Sequence, residues 1–281
     1  MKDKYSIILL CKICEVSKAG YYKFINKTDK DENKDISTIK SIQEKHKYRI
    51  GVYRMVAYIK RDYGIIMNHK KVYRLMKEND LLSKIKRKSK YYGKKENNPK
   101  NNKINRNFNT SCPFDKIATD TSEFAKSGKK IYLSPIKDLH TKVIEACEIG
   151  YSPSLTLAMN TIKQIKDKSI PEGTLFHSDQ GVLYNNKQFQ KFLEDNNFIQ
   201  SMSRKGNPID NSPMESFFST VKSEVVYNDY IKILNDKNMI EELEEYIRYY
   251  NYDRIQKSLG YLTPIEYKEK HFKDSATLEA E

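Results

Sequence analysis

Three acidic residues lie in stretches whose composition suits phosphodiester chemistry. Asp120 lies in Thr119-Asp120-Thr121-Ser122-Glu123-Phe124, Asp179 in His177-Ser178-Asp179-Gln180-Gly181, and Glu215 in Pro213-Met214-Glu215-Ser216-Phe217-Phe218. Metal-dependent cleavage of a phosphodiester needs two or three carboxylates converging on Mg²⁺. Paired ions about 4 Å apart activate the attacking oxygen and stabilise the leaving one. Asp and Glu, as hard oxygen donors, suit that ion where Cys does not. Spacing alone selects nothing, because the 281-residue chain holds 37 acidic residues and most acidic side chains are solvated charges.

The elements around these residues make convergence feasible. Asp115–Phe124, Lys130–His140 and Lys142–Tyr151 read as strands rich in Ile, Val, Tyr and Thr. Leu155–Lys168 has helical periodicity, 174–178 is a short strand, 186–197 a helix, 199–204 a strand and Ser212–Val226 a helix. This order predicts an α/β domain, a mixed sheet with helices on its faces. Asp120 then sits in the first strand, Asp179 just after the fourth and Glu215 near a helix start. The helix expected over Asn238–Arg254 turns Ile240, Leu243 and Ile247 inward.

Charge divides the chain. Its 51 Lys+Arg against 37 Asp+Glu give a net +14. Residues 1–110 carry 29 basic and 11 acidic side chains, net +18, and residues 111–281 carry 22 and 26, net −4. Such asymmetry points to a nucleic-acid-binding front end. The densest stretch, Lys84–Arg106, has ten basic residues opposed only by Glu96, and its Asn and Pro content predicts an extended linker. Upstream, Tyr5–Ile25 reads as a helical unit with a turn at Ser17-Lys18-Ala19-Gly20. In 51–82, a helix through Val52, Met55, Val56 and Ile59 is followed by Gly64 and an Asn68-capped helix. That second helix buries Val72, Leu75 and Met76 and turns Lys70, Lys71, Arg74 and Lys77 outward. This pattern fits a helix-turn-helix and equally an ordinary helical hairpin.

The longest apolar run, Ile7–Cys11, ends at Lys12, far short of the ~20 residues that span a bilayer. No signal peptide with a cleavage site is visible. Cys11, Cys14, Cys112 and Cys147 are therefore expected to be reduced thiols in the cytoplasm. Cys11-x-x-Cys14 lacks a matching pair at zinc-finger spacing.

The three acidic stretches resemble, in order, the signature stretches of bacterial insertion-sequence transposases, specifically the OrfB type of the insertion-sequence-three family, related to retroviral integrases. Thirty-five residues separate Asp179 from Glu215, the D-D-(35)-E spacing of that group, and Lys222 follows Glu215 by seven residues. Further matches are Ser201-Met202-Ser203-Arg204-Lys205-Gly206-Asn207, Tyr250-Asn251-Tyr252-Asp253-Arg254 and Leu259-Gly260-Tyr261-Leu262-Thr263-Pro264. Upstream, Gly51-Val52-Tyr53-Arg54 and Val72-Tyr73-Arg74-Leu75-Met76 are similar to its helix-turn-helix region. The resemblance covers roughly residues 5–270. Gln180, Gln256 and the run Tyr48-Arg49-Ile50-Gly51 depart from the pattern.

The resemblance implies a ribonuclease-H-like mixed five-stranded sheet flanked by helices, preceded by α-helical helix-turn-helix DNA-binding domains. The expected layout is a helix-turn-helix-like unit at 1–30, a second helix-turn-helix region at 31–83, a basic linker at 84–112, a catalytic core at 113–230 and a helical extension at 231–281. Asp120, Asp179 and Glu215 would hold two Mg²⁺, with Mn²⁺ able to substitute. Strand cleavage at the element's ends would leave a 3′-hydroxyl that attacks target DNA. Expected DNA contacts are Lys222, His177, Arg204, Lys205, Arg254, Lys70, Lys71, Arg74, Lys84, Lys86, Arg87 and Lys88. His177 reads equally as a satisfied core imidazole, and Glu123, Asp138 and Asp210 as structural or as supports behind the site residues. Implied partners are terminal inverted repeats and target DNA, further copies of the chain and an upstream-frame OrfA product, in a nucleoid-associated setting. The competing readings are a recombinase with a covalent tyrosine nucleophile and a DNA-binding regulator with an inactive nuclease-like domain.

Overall fold

A computed structural model describes residues 6–25, 29–85, 102–125, 128–166, 168, 170–204, 207–233 and 235–278. The chain divides into two units, Met1–Ser83 and Lys84–Glu281.

The first unit is helical among its described residues. Helices α1 (Ile7–Ile13) and α2 (Lys18–Ile25) each start at a serine. Ser6 Oγ accepts from Leu9 N, and Ser17 Oγ from Gly20 N at 3.0 Å. The stretch Ser17–Gly20 is therefore a helix start rather than the expected turn, because a serine hydroxyl satisfies an otherwise unpaired first-turn amide. Helix α3 (Asp29–Lys45) was not anticipated. Its Ile36, Ile39 and Ile42 recur every three residues, but dense charge hides the stripe. Helix α4 (Val52–Tyr63) ends at Gly64, whose φ of +68° suits a residue without Cβ. Asn68 Oδ1 accepts from Lys70 N and starts α5 (His69–Glu78), as expected. Buried Gln43 joins these helices, its Nε2 donating to the carbonyls of Ile50 and Leu81.

His46 is buried in this unit, its ring centroid 4.4 Å from that of Tyr58. Burial, then the charges of Lys45 and Arg54, lower its pKa to about 4. The unfolded chain therefore takes up the proton first. His46's contribution is complete above about pH 6.5 and lost as pH falls toward 4. Between pH 7 and 5 this costs the unit about 2 kcal/mol. Amide exchange in α3 and α4 should show that loss in the wild type and not in His46→Leu. Equal losses in both would remove His46 from the account.

The second unit is built on one mixed sheet. Its strands are β1 (Lys116–Thr119), β2 (Ser122–Phe124), β3 (Ile131–Asp138), β4 (Ile144–Gly150), β5 (Leu175–Ser178) and β6 (Ile199–Met202). Both β1 and β2 pair antiparallel with β3 in one continuous register, Thr119 with Ile136 and Ser122 with Leu133. They form one row interrupted at Asp120-Thr121, so the six segments make the five rows expected. That register sets Asp120 opposite Pro135, which has no N–H to give a ladder. The remaining pairings are β3 with β4 antiparallel, and β1 with β5 and β5 with β6 parallel.

Successive strand residues face opposite sides, and two cores follow. Ile117, Ile136, Phe176 and Met202 pack with Ala158 and Ile162 of α6 (Leu155–Lys163) and Phe189 and Leu193 of α7 (Lys187–Asp195). Ala118, Phe124, Ile131 and Leu133 pack with Met214 and Phe217 of α8 (Ser212–Val221) and with Leu243 and Tyr246 of α9 (Asp236–Tyr252). After α8 the backbone widens into a π turn over Lys222–Val226, with Tyr227 N donating to Lys222 O. Helix α10 (Pro264–Leu278) follows within the stretch 231–281.

The expected linker over 84–112 is docked at both described ends. Asp229 N donates to Lys84 O and Ile85 bridges to Asn228. Ile104 is buried in the α8/α9 core. Residues 86–101 lie outside the described set, and with them the candidates Lys86, Arg87 and Lys88.

Candidate active site

The parallel register of β1 and β5 pairs Ala118 with His177. Two residues further on, that register sets Asp120 level with Asp179 on neighbouring rows, which are spaced about 4.8 Å apart. Both lie on the same face as Ala118, the face covered by α8 and α9. Glu215, in the first turn of α8, belongs to that covering layer. Three carboxylates from distant parts of the sequence thus share one end of the sheet, and the field at Asp120 registers this. Burial, then the charges of Asp179 and Glu215, push its pKa up to about 7, against a backbone bond from Thr121 and the opposing charge of Lys222.

Each aspartate is also held by its own backbone. Asp120 Oδ1 accepts from Thr121 N at 2.7 Å and Asp179 Oδ1 from Gly181 N at 2.9 Å. A Cβ at Gly181 would stand 2.8 Å from that same oxygen, so glycine permits the approach. Tyr184, buried beneath, exchanges a hydrogen bond with Thr121 Oγ1 at 3.1 Å. Burial, with a smaller push from Asp120 and Asp179, raises its pKa, so it stays a neutral phenol. Gly181 and Tyr184 were not singled out in the sequence, where nothing separates Tyr184 from the other 20 tyrosines.

The elements carrying the carboxylates are bonded to one another. Asn211, immediately before α8, donates from Nδ2 to Thr119 O at 3.1 Å. His177 Nε2 lies 2.9 Å from Asp210 O. A carbonyl only accepts, so Nε2 carries the proton and Nδ1 accepts from Ser201 Oγ at 2.9 Å. His177 is fully buried and hydrogen-bonded at both nitrogens, the arrangement of a satisfied core imidazole. Asp210 is likewise structural. Its carboxylate accepts from Arg204 Nε and Nη2, from Arg106 Nε and from Asn102 Nδ2, and lies well below the usual carboxylate range through those bonds. Asp138 accepts from the amides of Phe114, His140 and Thr141, and exposed Glu123 pairs with Lys130 and Tyr132.

The donor chemistry fits Mg²⁺, since the cluster offers carboxylate oxygens only. Mutual repulsion that raises a carboxylate's pKa is also what a divalent cation relieves. Among the described residues, no three His, Cys, Asp or Glu side chains close into a cage around an ion. All four cysteines are free thiols.

Sequence comparison supplies the lineage. A family described as an HTH-like domain matches residues 29–89, and integrase core domain families match 110–208 and 215–272. InsK of insertion sequence element IS150 from Escherichia coli K12 is 35% identical, across 97% of this chain and 96% of its own. The transposase for insertion sequence element IS904 from Lactococcus lactis is 30% identical, over 82% and 91% respectively.

The chain belongs to the insertion-sequence transposases. Among solved structures, the HTLV-2 integrase catalytic core domain in complex with magnesium gives a TM-score of 0.44 at 10% identity, over 56% of this chain and 97% of that one. The transposase has the ribonuclease-H-like integrase core, is a DDE polynucleotidyl transferase and acts on DNA in transposition. Nothing found supports a regulator with an inactive nuclease domain. Among the described residues, no helix is long and apolar enough to cross a membrane.

Several expected DNA contacts of the transposase are engaged elsewhere. Arg254 donates from Nε and Nη2 to buried Glu224, at 3.0 and 2.9 Å, and Tyr246 Oη donates to the same carboxylate. This pair ties the π turn after α8 to the end of α9. Arg204 is committed to Asp210. Lys71 pairs with Asp35, and Arg74 with Glu32 and Glu78. Lys70 remains exposed, Lys84 is docked through its carbonyl, and Lys205 lies outside the described residues. Lys222 sits 5.4 Å above the Phe124 ring, close enough to lower the pKa of Asp120.

Arg254→Met should destabilise the catalytic unit by about 3–5 kcal/mol, because the buried Glu224 carboxylate loses the cation that faces it. Adding Glu224→Gln should recover most of that loss. Urea denaturation of the single and double variants measures both, and a double variant no more stable than the single one would contradict the pairing.

Proposed function

We propose that Asp120, Asp179 and Glu215 are the catalytic carboxylates of this transposase and that together they hold two Mg²⁺, for which Mn²⁺ can substitute. The observation that carries this reading is the level placement of Asp120 and Asp179 under α8, joined to the repulsion from Asp179 and Glu215 felt at Asp120. When bound, the ions supply Lewis acidity to the attacking and leaving oxygens. The protein positions the carboxylates, and Lys222 holds a phosphate oxygen next to the scissile bond as a point charge. In the first step water attacks phosphorus at the element's end, and the 3′-oxygen leaves and takes up a proton. In the second step that 3′-hydroxyl attacks a target phosphodiester, forming one P–O bond as another breaks. No tyrosine becomes covalently attached to DNA.

Residues 1–83 and the basic linker 84–112 form the DNA-gripping part, and residues 113–281 the catalytic core with its helical extension. In line with the sequence resemblance, the working form is a multimer on terminal repeats and target DNA, assisted by an upstream-frame OrfA product, in the nucleoid-associated cytoplasm.

The test uses full-length transposase and a labelled duplex copied from the DNA flanking its own reading frame. Wild type should nick that duplex in Mg²⁺ or Mn²⁺, and EDTA should stop it. Asp120→Asn, Asp179→Asn and Glu215→Gln should each lower nicking at least ~10³-fold, as removal of one member of a catalytic group does, while retaining DNA binding. Retained nicking in any one would remove that residue from the site. A denaturation-resistant protein–DNA adduct would overturn the mechanism.

A further inference from the structure

Residues 208–211, a short turn leading into α8, touch every strand end of the candidate site. Asn211 bonds the carbonyl of Thr119, the residue before Asp120. The carbonyl of Asp210 receives His177, two residues before Asp179. Four residues after Asn211 comes Glu215 itself. A single dipeptide therefore connects the three chain segments whose spacing decides whether the carboxylates can share ions.

The dipeptide is in turn fixed from upstream of the sheet. Arg106 and Asn102, which precede β1, both bond the Asp210 carboxylate. Ile104 N donates to Ser201 Oγ at 3.1 Å, and Ser201 donates on to His177. The donors all point one way, from Ile104 through Ser201 and His177 to Asp210, an arrangement in which each bond strengthens the next. Asn211 is nearly fully buried, and among the described residues its Oδ1 has no hydrogen-bond partner. Leaving a buried acceptor unpaired costs stability.

We infer that Asn211 is a positioning residue that sets the distance of the Glu215 helix from Asp120 and Asp179, and that Arg106 and Asn102 hold Asp210-Asn211 in place for that purpose. The inference rests on the proposed carboxylate site. Groups that orient metal ligands typically change metal affinity ~10–100-fold when removed.

The experiment is a Mg²⁺ titration of full-length protein without DNA, read as the rise in melting temperature over the EDTA baseline. Asn211→Ala should move the Mg²⁺ midpoint up by ~10-fold while its melting temperature in EDTA stays near wild type. Arg106→Gln, at a partly exposed position, should move the midpoint the same way by a smaller factor and serves if Asn211→Ala does not fold. A residue of purely structural importance would lower the EDTA baseline and leave the midpoint unmoved, and that result in both variants would overturn the inference. Asp120→Asn separates the two readings. If it keeps the wild-type midpoint, the carboxylate assignment fails. If it abolishes the Mg²⁺ response while Asn211→Ala leaves the midpoint unchanged, only the positioning role fails.

Discussion

Repulsion among like charges at one end of the sheet is the constraint to which the catalytic unit answers. Asp120 is buried and feels both Asp179 and Glu215; burial first, then those two charges, push its pKa up to about 7. A fold optimised for stability alone would separate such groups. Here the surroundings oppose separation: Asn211 holds the α8 start to β1, His177 holds β5 to Asp210, and backbone amides grip one oxygen of each aspartate. Strained or repulsive local arrangements persist only when neighbouring structure over-determines them.

The same logic governs the basic residues. The +18 carried by residues 1–110 suggests a broad polyphosphate-binding face, but a count of side chains is not a count of available charges. Lys71 and Arg74 on α5 meet Asp35 and Glu32 on α3, so the outward face of α5 is less positive than its sequence suggests. Arg106, Arg204 and Arg254 go to buried carboxylates in the catalytic unit. Contacts to DNA phosphate contribute through release of counterions, and a lysine or arginine already paired with a carboxylate releases fewer. Among the expected contacts in the described residues, Lys70 stays exposed and carries no such pairing in its position on α5.

Alternation and local context made much of this architecture legible. The strand–helix order followed from period-two and helical patterns, and the Asn68 cap from its position before an amphipathic run. The carboxylates could be chosen from 37 only through the ordered stretches around them. Long-range pairing was not legible. Arg254 reads in sequence as a cation near a DNA-acting site, and only the fold shows Glu224 buried beneath it. Asn211 carries no local signal, because its partner, Thr119 O, lies 92 positions earlier. Helix α3 was missed for a different reason: its apolar stripe is three residues wide and charge dominates its composition.

Pro135 shows how the two demands on the first strand are reconciled. Proline in a central strand removes a ladder donor and is normally confined to edges and bulges. Here it stands opposite Asp120, in a row whose register continues unchanged on either side. The register must continue, since a one-residue slip would turn every side chain of the row to the other face. Pairing at Asp120 itself need not continue. With the ladder interrupted there, Thr121 N donates to the Asp120 carboxylate, and Thr119 Oγ1 donates to Pro135 O at 2.9 Å to hold the rows together. The strand thus keeps Asp120 level with Asp179 while the next backbone amide steadies a carboxylate that its neighbours repel.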